Sequence, residues 1–320
     1  MKLVLNGSEG EAHFGILDDL HEQIPGLEII VELDPDKALA IVHDADVVYG
    51  LPTAELIAAA PNLRWIQSSA AGVEYIARIP AVVESDVVVT NTRGAHGPSI
   101  GEHTFALLFA LTRLLPDCFE RQRQHRWDRG GLYRTAREIY GATMGIVGYG
   151  ATGRAIAHRA AGFDMPLLAV DANPVPPDDR VADVWPVSRL GELLERSDVV
   201  VVTAPLTPET THLIDAAMLA RMQPTAYLIV VSRGGIVDET ALADALKNQR
   251  LAGAGLDVVE TEPLDPANPL WDAPNLVITP HMAGASTEKE RRCIEVLREN
   301  LLRFHRGEPL LNTVDKRRGY

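Results

Sequence analysis

Short apolar runs alternate with helical patterns along the whole chain, the signature of parallel sheets covered by helices. In the first third the runs Leu3–Leu5, Leu27–Val31, Val47–Tyr49, Trp65–Gln67 and Val87–Thr90 predict five strands. A helix is expected over Thr53–Ala60, closed by Pro61. A long amphipathic stretch follows from Ile100 to Arg123, with Phe105, Leu108, Phe109, Leu111, Thr112 and Leu115 at helical spacing, and Pro116 is expected to kink or break it. Residues 126–137 read as an irregular, arginine-rich segment.

A second strand–helix series starts at Met144. Its strands are expected at Met144–Val147, Leu167–Val170, Val199–Val202, Tyr227–Val231, Gly253–Asp257 and Val277–Thr279, near-continuous apolar runs as for strands buried on both faces. A final helix is expected at Thr287–Arg306. If it packs on the first domain, the second domain is an insertion. The expected division is 1–98 with 285–320 for one doubly wound, flavodoxin-like domain, and 99–284 for a Rossmann domain.

The six-strand series opens on Gly148-Tyr149-Gly150-Ala151-Thr152-Gly153, between an apolar strand and a helical pattern. That context makes a GxGxxG a dinucleotide site. The first glycine permits the turn, the second lets the pyrophosphate approach, and the third allows close helix packing. Asp171 lies where an acid binds the ribose hydroxyls, and its charge would repel the extra phosphate of NADP, so NAD is the expected cofactor.

Composition narrows the picture. The 320 residues carry a net charge of −14, which argues against a nucleic-acid partner. No apolar run is long enough to span a bilayer, so no membrane partner is expected. The N-terminus turns polar too early for a signal peptide. Cys118 and Cys293 are far apart, with no CxxC or Cys/His cluster, so no metal site is expected and a reducing cytoplasm fits.

Three strand ends offer chemistry: Ser232-Arg233-Gly234-Gly235, Glu260-Thr261-Glu262-Pro263 and Thr279-Pro280-His281. Taken singly, Arg233 reads as a surface cation, Glu262 as a loop carboxylate and His281 as a core histidine. At the carboxyl ends of strands in one open sheet, all three are expected to converge on the ligand crevice.

With the glycine turn, Pro205-Leu206-Thr207-Pro208-Glu209-Thr210, Ser232–Asp238, Gly255-Leu256-Asp257-Val258, Glu262-Pro263-Leu264 and Thr279-Pro280-His281, the sequence resembles the D-isomer-specific 2-hydroxyacid dehydrogenases over nearly its whole length. The resemblance implies an enzyme that moves a hydride between NAD(H) and a 2-hydroxy acid/2-keto acid pair, with Arg233, Glu262 and His281 as its catalytic set. Arg233 would grip the substrate carboxylate through paired N–H bonds. His281 would exchange the proton, and Glu262 would orient the ring.

It further implies cofactor contacts at Thr203, Ala204, Pro205, Thr210, Val231, Ser232, Arg233, Asp257, His281 and Gly284. A substrate loop is implied at Ala71, Gly72 and Val73, whose amides would form an anion nest. A homodimer is also implied. Ala70, Val230 and Ser232 depart from the family pattern, which bears on substrate choice. Two other readings remain open at this point: an NAD-responsive corepressor-like protein of the same fold, and a related formate- or phosphite-type dehydrogenase.

Overall fold

The computed structural model describes residues 1–8 and 10–319. They form two compact units, one of residues 1–96 with 286–320 and one of residues 97–285.

The first unit is built on a five-stranded, wholly parallel sheet of β1 (Lys2–Leu5), β2 (Glu28–Val31), β3 (Val47–Tyr49), β4 (Trp65–Gln67) and β5 (Val88–Thr90), in the order β2-β1-β3-β4-β5. Successive side chains of a strand point to opposite faces. Leu3, Leu5, Val47, Tyr49 and Trp65 therefore share one core, and Val4, Val48 and Ile66 the other. Helices α1 (Pro35–Ile41) and α2 (Ala54–Ala59) close the second face, each capped by a side chain: Asp34 accepts from the Asp36 and Lys37 amides, and Thr53 from that of Leu56.

The second unit carries seven parallel strands: β6 (Met144–Val147), β7 (Leu167–Asp171), β8 (Val184–Pro186), β9 (Val199–Val202), β10 (Tyr227–Val230), β11 (Gly253–Leu256) and β12 (Leu276–Ile278). Their order is β12-β11-β10-β9-β6-β7-β8. The order reverses between β6 and β9, and the carboxyl ends flanking such a reversal are where ligands bind in open α/β sheets. All residues of β6, β9 and β10 are buried, as their unbroken apolar sequences require. Helices α3 (Gly97–Thr112) and α5 (Ala151–Ala160) share the core on one face. Helices α6 (Leu190–Arg196) and α7 (Glu239–Lys247) share that on the other.

Two expectations are corrected. The sheet has a seventh strand, β8, a short edge strand ending in proline. The long amphipathic stretch is two helices, but Pro116 is not the break. Leu114 takes a left-handed backbone (φ 56°), and Pro116 lies in the first turn of α4 (Leu115–Arg123), where its missing N–H costs nothing. Beyond the last helix the chain is bonded to the first sheet: the Asn312 carbonyl accepts from the Asn91 amide, and Val314 donates to the Val89 carbonyl.

The last helix, α8 (Thr287–Arg306), lies where the sequence places it and packs on the first sheet. Ile294, Leu297, Leu301 and Leu302 complete the core of Leu3, Leu5 and Trp65. Asn300, fully buried, donates to Gln67 Oε1 at 2.9 Å and accepts the Leu311 amide at 2.7 Å.

Candidate active site

The glycine turn sits between β6 and α5, and each glycine answers a separate geometric demand. Gly148 has φ 96°, and a Cβ there would lie 2.7 Å from the Ala204 nitrogen. At Gly153 a Cβ would run into the Gly148 carbonyl oxygen. At Gly150 a Cβ would meet nothing within 4 Å, so the backbone there is open to an approaching group. Gly150 also begins α5 without a side-chain cap, unlike α1, α2, α7 and α8. The first amides of a helix have no internal partner, and they attract anions. The turn thus fits the diphosphate of a dinucleotide.

Asp171 ends β7 beside this turn. Its Oδ2 accepts the Tyr149 amide at 2.8 Å and its Oδ1 the Asn173 amide at 2.9 Å. A carboxylate has about four lone-pair positions, so capacity remains for hydroxyl donors. The Tyr149 side chain is fully buried, with its hydroxyl 3.0 Å from Asp178, which also pairs with Arg154. Burial and the Asp178 carboxylate push the Tyr149 hydroxyl well above the usual phenol range. Only the backbone of Tyr149 takes part in the turn.

Thr203 donates its hydroxyl to the Gly148 carbonyl. Thr210 turns inward on its own loop, donating to Pro205 O and accepting the Thr207 amide, both at 2.7 Å. Val231 and Ala204 are buried. Ser232 has a buried hydroxyl oxygen with no partner among the described residues. Gly284 O accepts from Ser99 Oγ at 3.2 Å.

Glu262 and His281 meet directly, with His281 Nδ1 2.7 Å from Glu262 Oε2. The other carboxylate oxygen accepts the Val259 amide at 3.2 Å. A carboxylate only accepts, so Nδ1 carries a proton, and in the neutral ring the lone pair lies on Nε2. His281 is exposed, and Nε2 has no partner among the described residues. Arg233 donates to Ser232 O at 2.7 Å. Its segment is pressed on the one that leads to Glu262, because a Cβ on Gly234 would overlap the Val259 carbonyl. The three residues singled out in the sequence therefore lie on adjoining segments.

Asp257, 1% exposed, has both oxygens occupied by protein donors. Thr279 Oγ1 (2.6 Å) and the Met282 amide (2.9 Å) reach Oδ1, and the Ala283 amide (2.7 Å) reaches Oδ2. His103 Nε2 lies 3.3 Å from Oδ1. Burial alone would raise this carboxyl, but His103, Thr279 and the two amides hold it below its usual range. Sequence reasoning missed His103. Its one signal is the pairing of Ser99 and His103 four residues apart, two polar side chains on one face of a largely apolar helix.

In the first unit, among the described residues none accepts a hydrogen bond from the backbone N–H of Ala71, Gly72 or Val73. The Ala71 carbonyl is held by Asn91 Nδ2 at 2.8 Å. Among the described residues no cluster of His, Cys, Asp and Glu would hold a metal, and no helix is long and apolar enough to cross a membrane.

Residues 105–283 match the model of the D-isomer specific 2-hydroxyacid dehydrogenase NAD binding domain. The chain belongs to the D-isomer specific 2-hydroxyacid dehydrogenase family. Within it, the chain is 39% identical over 293 residues to a glyoxylate reductase of Korarchaeum cryptofilum, covering 89% of this chain and 88% of that one. It is 37% identical over 255 residues to a glycerate dehydrogenase of Methylorubrum extorquens, covering 78% of each. The solved structure of a D-isomer specific 2-hydroxyacid dehydrogenase family protein from Aeromonas salmonicida superimposes with a TM-score of 0.85 at 32% identity, over 98% of this chain and 99% of that one.

Proposed function

We propose that this 2-hydroxyacid dehydrogenase interconverts a short 2-keto acid and its D-2-hydroxy acid, with Arg233, Glu262 and His281 as catalytic residues. The observation that carries the reading is the Glu262–His281 bond, which leaves Nε2 as the proton-exchanging atom. In the oxidising direction Nε2 takes the hydroxyl proton as the C2 hydrogen leaves with its electron pair. In the reducing direction the imidazolium returns that proton to the keto oxygen. Glu262 keeps Nδ1 protonated and offsets the ring's positive charge. Arg233 holds the substrate carboxylate through two parallel N–H bonds, which a lysine would not reproduce. Bound NAD supplies the hydride acceptor, and its reduced form the donor.

The Gly148–Gly153 turn and the open end of α5 would hold the diphosphate, with Thr203, Ala204 and Pro205 beside them. Asp171 would take the ribose hydroxyls and set like charge against a 2′-phosphate, favouring NAD over NADP. The amides of Gly72 and Val73, which no described residue accepts, would form a further anion-binding turn. The relatives named glyoxylate reductase and glycerate dehydrogenase suggest a two- or three-carbon acid. The two free, widely separated cysteines suit a reducing cytoplasm.

A second copy of the chain is the proposed partner. No residue of α4 is buried, and Phe119 on it and Trp127, Tyr133 and Tyr140 in the segment that follows are exposed. Four exposed large aromatics within one short stretch of chain suit an interface.

The test is oxidation of NADH and NADPH with glyoxylate, hydroxypyruvate, pyruvate, a bulkier keto acid and, in reverse, formate. NADH consumption with at least one keto acid is expected. Arg233→Ala and His281→Ala should each lower kcat/KM by at least ~10²-fold. Full activity of His281→Ala would overturn the mechanism.

A further inference from the structure

The turn that presents His281 is itself an unfavourable conformation. His281 has φ 50°, a left-handed backbone that a residue with a Cβ adopts at a cost of about 1–2 kcal/mol. Such a residue persists only where its surroundings over-determine it. Here the surroundings are one buried carboxylate and its donors. Asp257 takes the Thr279 hydroxyl and the Met282 and Ala283 amides, and its own carbonyl oxygen accepts the His281 amide at 2.7 Å. Every residue from 279 to 283 except Pro280 thus donates to Asp257.

The order of protons in this cluster follows from valence. Thr279 has one hydroxyl hydrogen, and at 2.6 Å from Asp257 Oδ1 that hydrogen goes to the carboxylate. The Thr279 oxygen therefore accepts from His103 Nε2, which is 2.9 Å away, and His103 carries its hydrogen on Nε2. One helical turn earlier on α3, Ser99 holds the Gly284 carbonyl.

We propose that His103 and Thr279 are positioning residues for His281: the chain from His103 Nε2–H through the Thr279 hydroxyl to Asp257 locks the left-handed turn that sets the imidazole against Glu262. The inference rests on the reading of His281 as the proton-exchanging group. It predicts a defect in the chemical step, because neither residue reaches the reacting atoms and the glycine turn lies on a different pair of strands. A slight misplacement of a reacting group costs rate far more than affinity.

Thr279→Val should lower kcat by about tenfold, with the KM for keto acid and the Kd for NADH within about twofold of wild type. Thr279→Ser, which restores the hydroxyl, should recover wild-type kcat to within about twofold. His103→Leu should act like Thr279→Val, and His103→Gln, which keeps an N–H donor, should retain more of kcat than His103→Leu. If Thr279→Val does not fold, the His103 pair decides. A wild-type kcat in Thr279→Val or His103→Leu overturns the inference, as does a loss that the serine and glutamine variants fail to restore. His281→Ala is the control and should lose at least ~10²-fold in kcat/KM; full activity of His281→Ala instead removes the mechanism beneath.

Discussion

At Gly148 the chain itself forbids a side chain, through a positive φ and the Ala204 backbone, whereas at Gly150 the chain leaves the space open. The two substitutions to alanine should therefore separate stability from binding. Gly148→Ala should destabilise by about 2 kcal/mol or more, since the left-handed cost and the clash add. Gly150→Ala should melt within about 2 °C of wild type and yet bind NADH about tenfold or more weakly. Thermal melts and NADH titration of the two variants check this, and equal melting temperatures would contradict it. Asp257 gives a second residue-scale outcome. Its carboxyl is held below its ordinary range in the folded protein, so its stabilisation is complete above the unfolded value of about 4 and fades as pH falls through the folded one. The stability difference between wild type and Asp257→Asn should be constant from about pH 8 to about pH 5 and shrink below about pH 4. A difference that widens on acidification would refute the sign. Glu262 and His281 were legible in the sequence because each follows a strand of the glycine-turn series. The Asp257 cluster was not, since its partner His103 sits on a helix that looks like ordinary core until the fold brings the two together.

Among the elements, the buried strands could be read directly, because a strand covered on both faces needs an unbroken apolar run, as in Val199–Val202. The edge strand β8 escaped, being three residues long and ending in Pro186. The break between α3 and α4 was placed at the wrong residue, because the left-handed conformation of Leu114 has no counterpart in helix propensity. The junction of α8 with the first sheet shows how a polar residue fixes an element. Asn300 links Gln67, and through it Thr90 and Trp65, to the Leu311 backbone. Asn300→Ala should cost about 2–4 kcal/mol, because it strands buried donors and acceptors as well as removing bonds. A loss below about 0.5 kcal/mol in urea unfolding would show that water replaces the amide.

For the whole molecule, the exposed aromatics between Phe119 and Tyr140 make the oligomeric state the informative quantity. Light scattering coupled to gel filtration should give a dimer for the wild type. Phe119→Asp with Trp127→Ala should shift it to a monomer, and a wild-type monomer would end that proposal. The pairing of a sheet order reversed between β6 and β9 with an uncapped α5 was foreseeable from chain order and one glycine motif. The aromatic surface was not, since exposure of single aromatics leaves no periodic trace.

Because α8 supplies Ile294, Leu297 and Leu301 to a sheet whose strands all precede residue 91, the first unit cannot close its core until nearly the whole chain exists. Residues 97–285 meet no such delay, as their strands and both cores are complete without it. During synthesis, at about 5–20 residues per second, the sheet that emerges first stands with one apolar face covered only by Leu17, Leu20, Ile24 and their neighbours for roughly ten seconds or more while the intervening unit is made. The unit that begins first finishes last, and over that interval it is the face of Leu3, Leu5 and Trp65 that a chaperone would find.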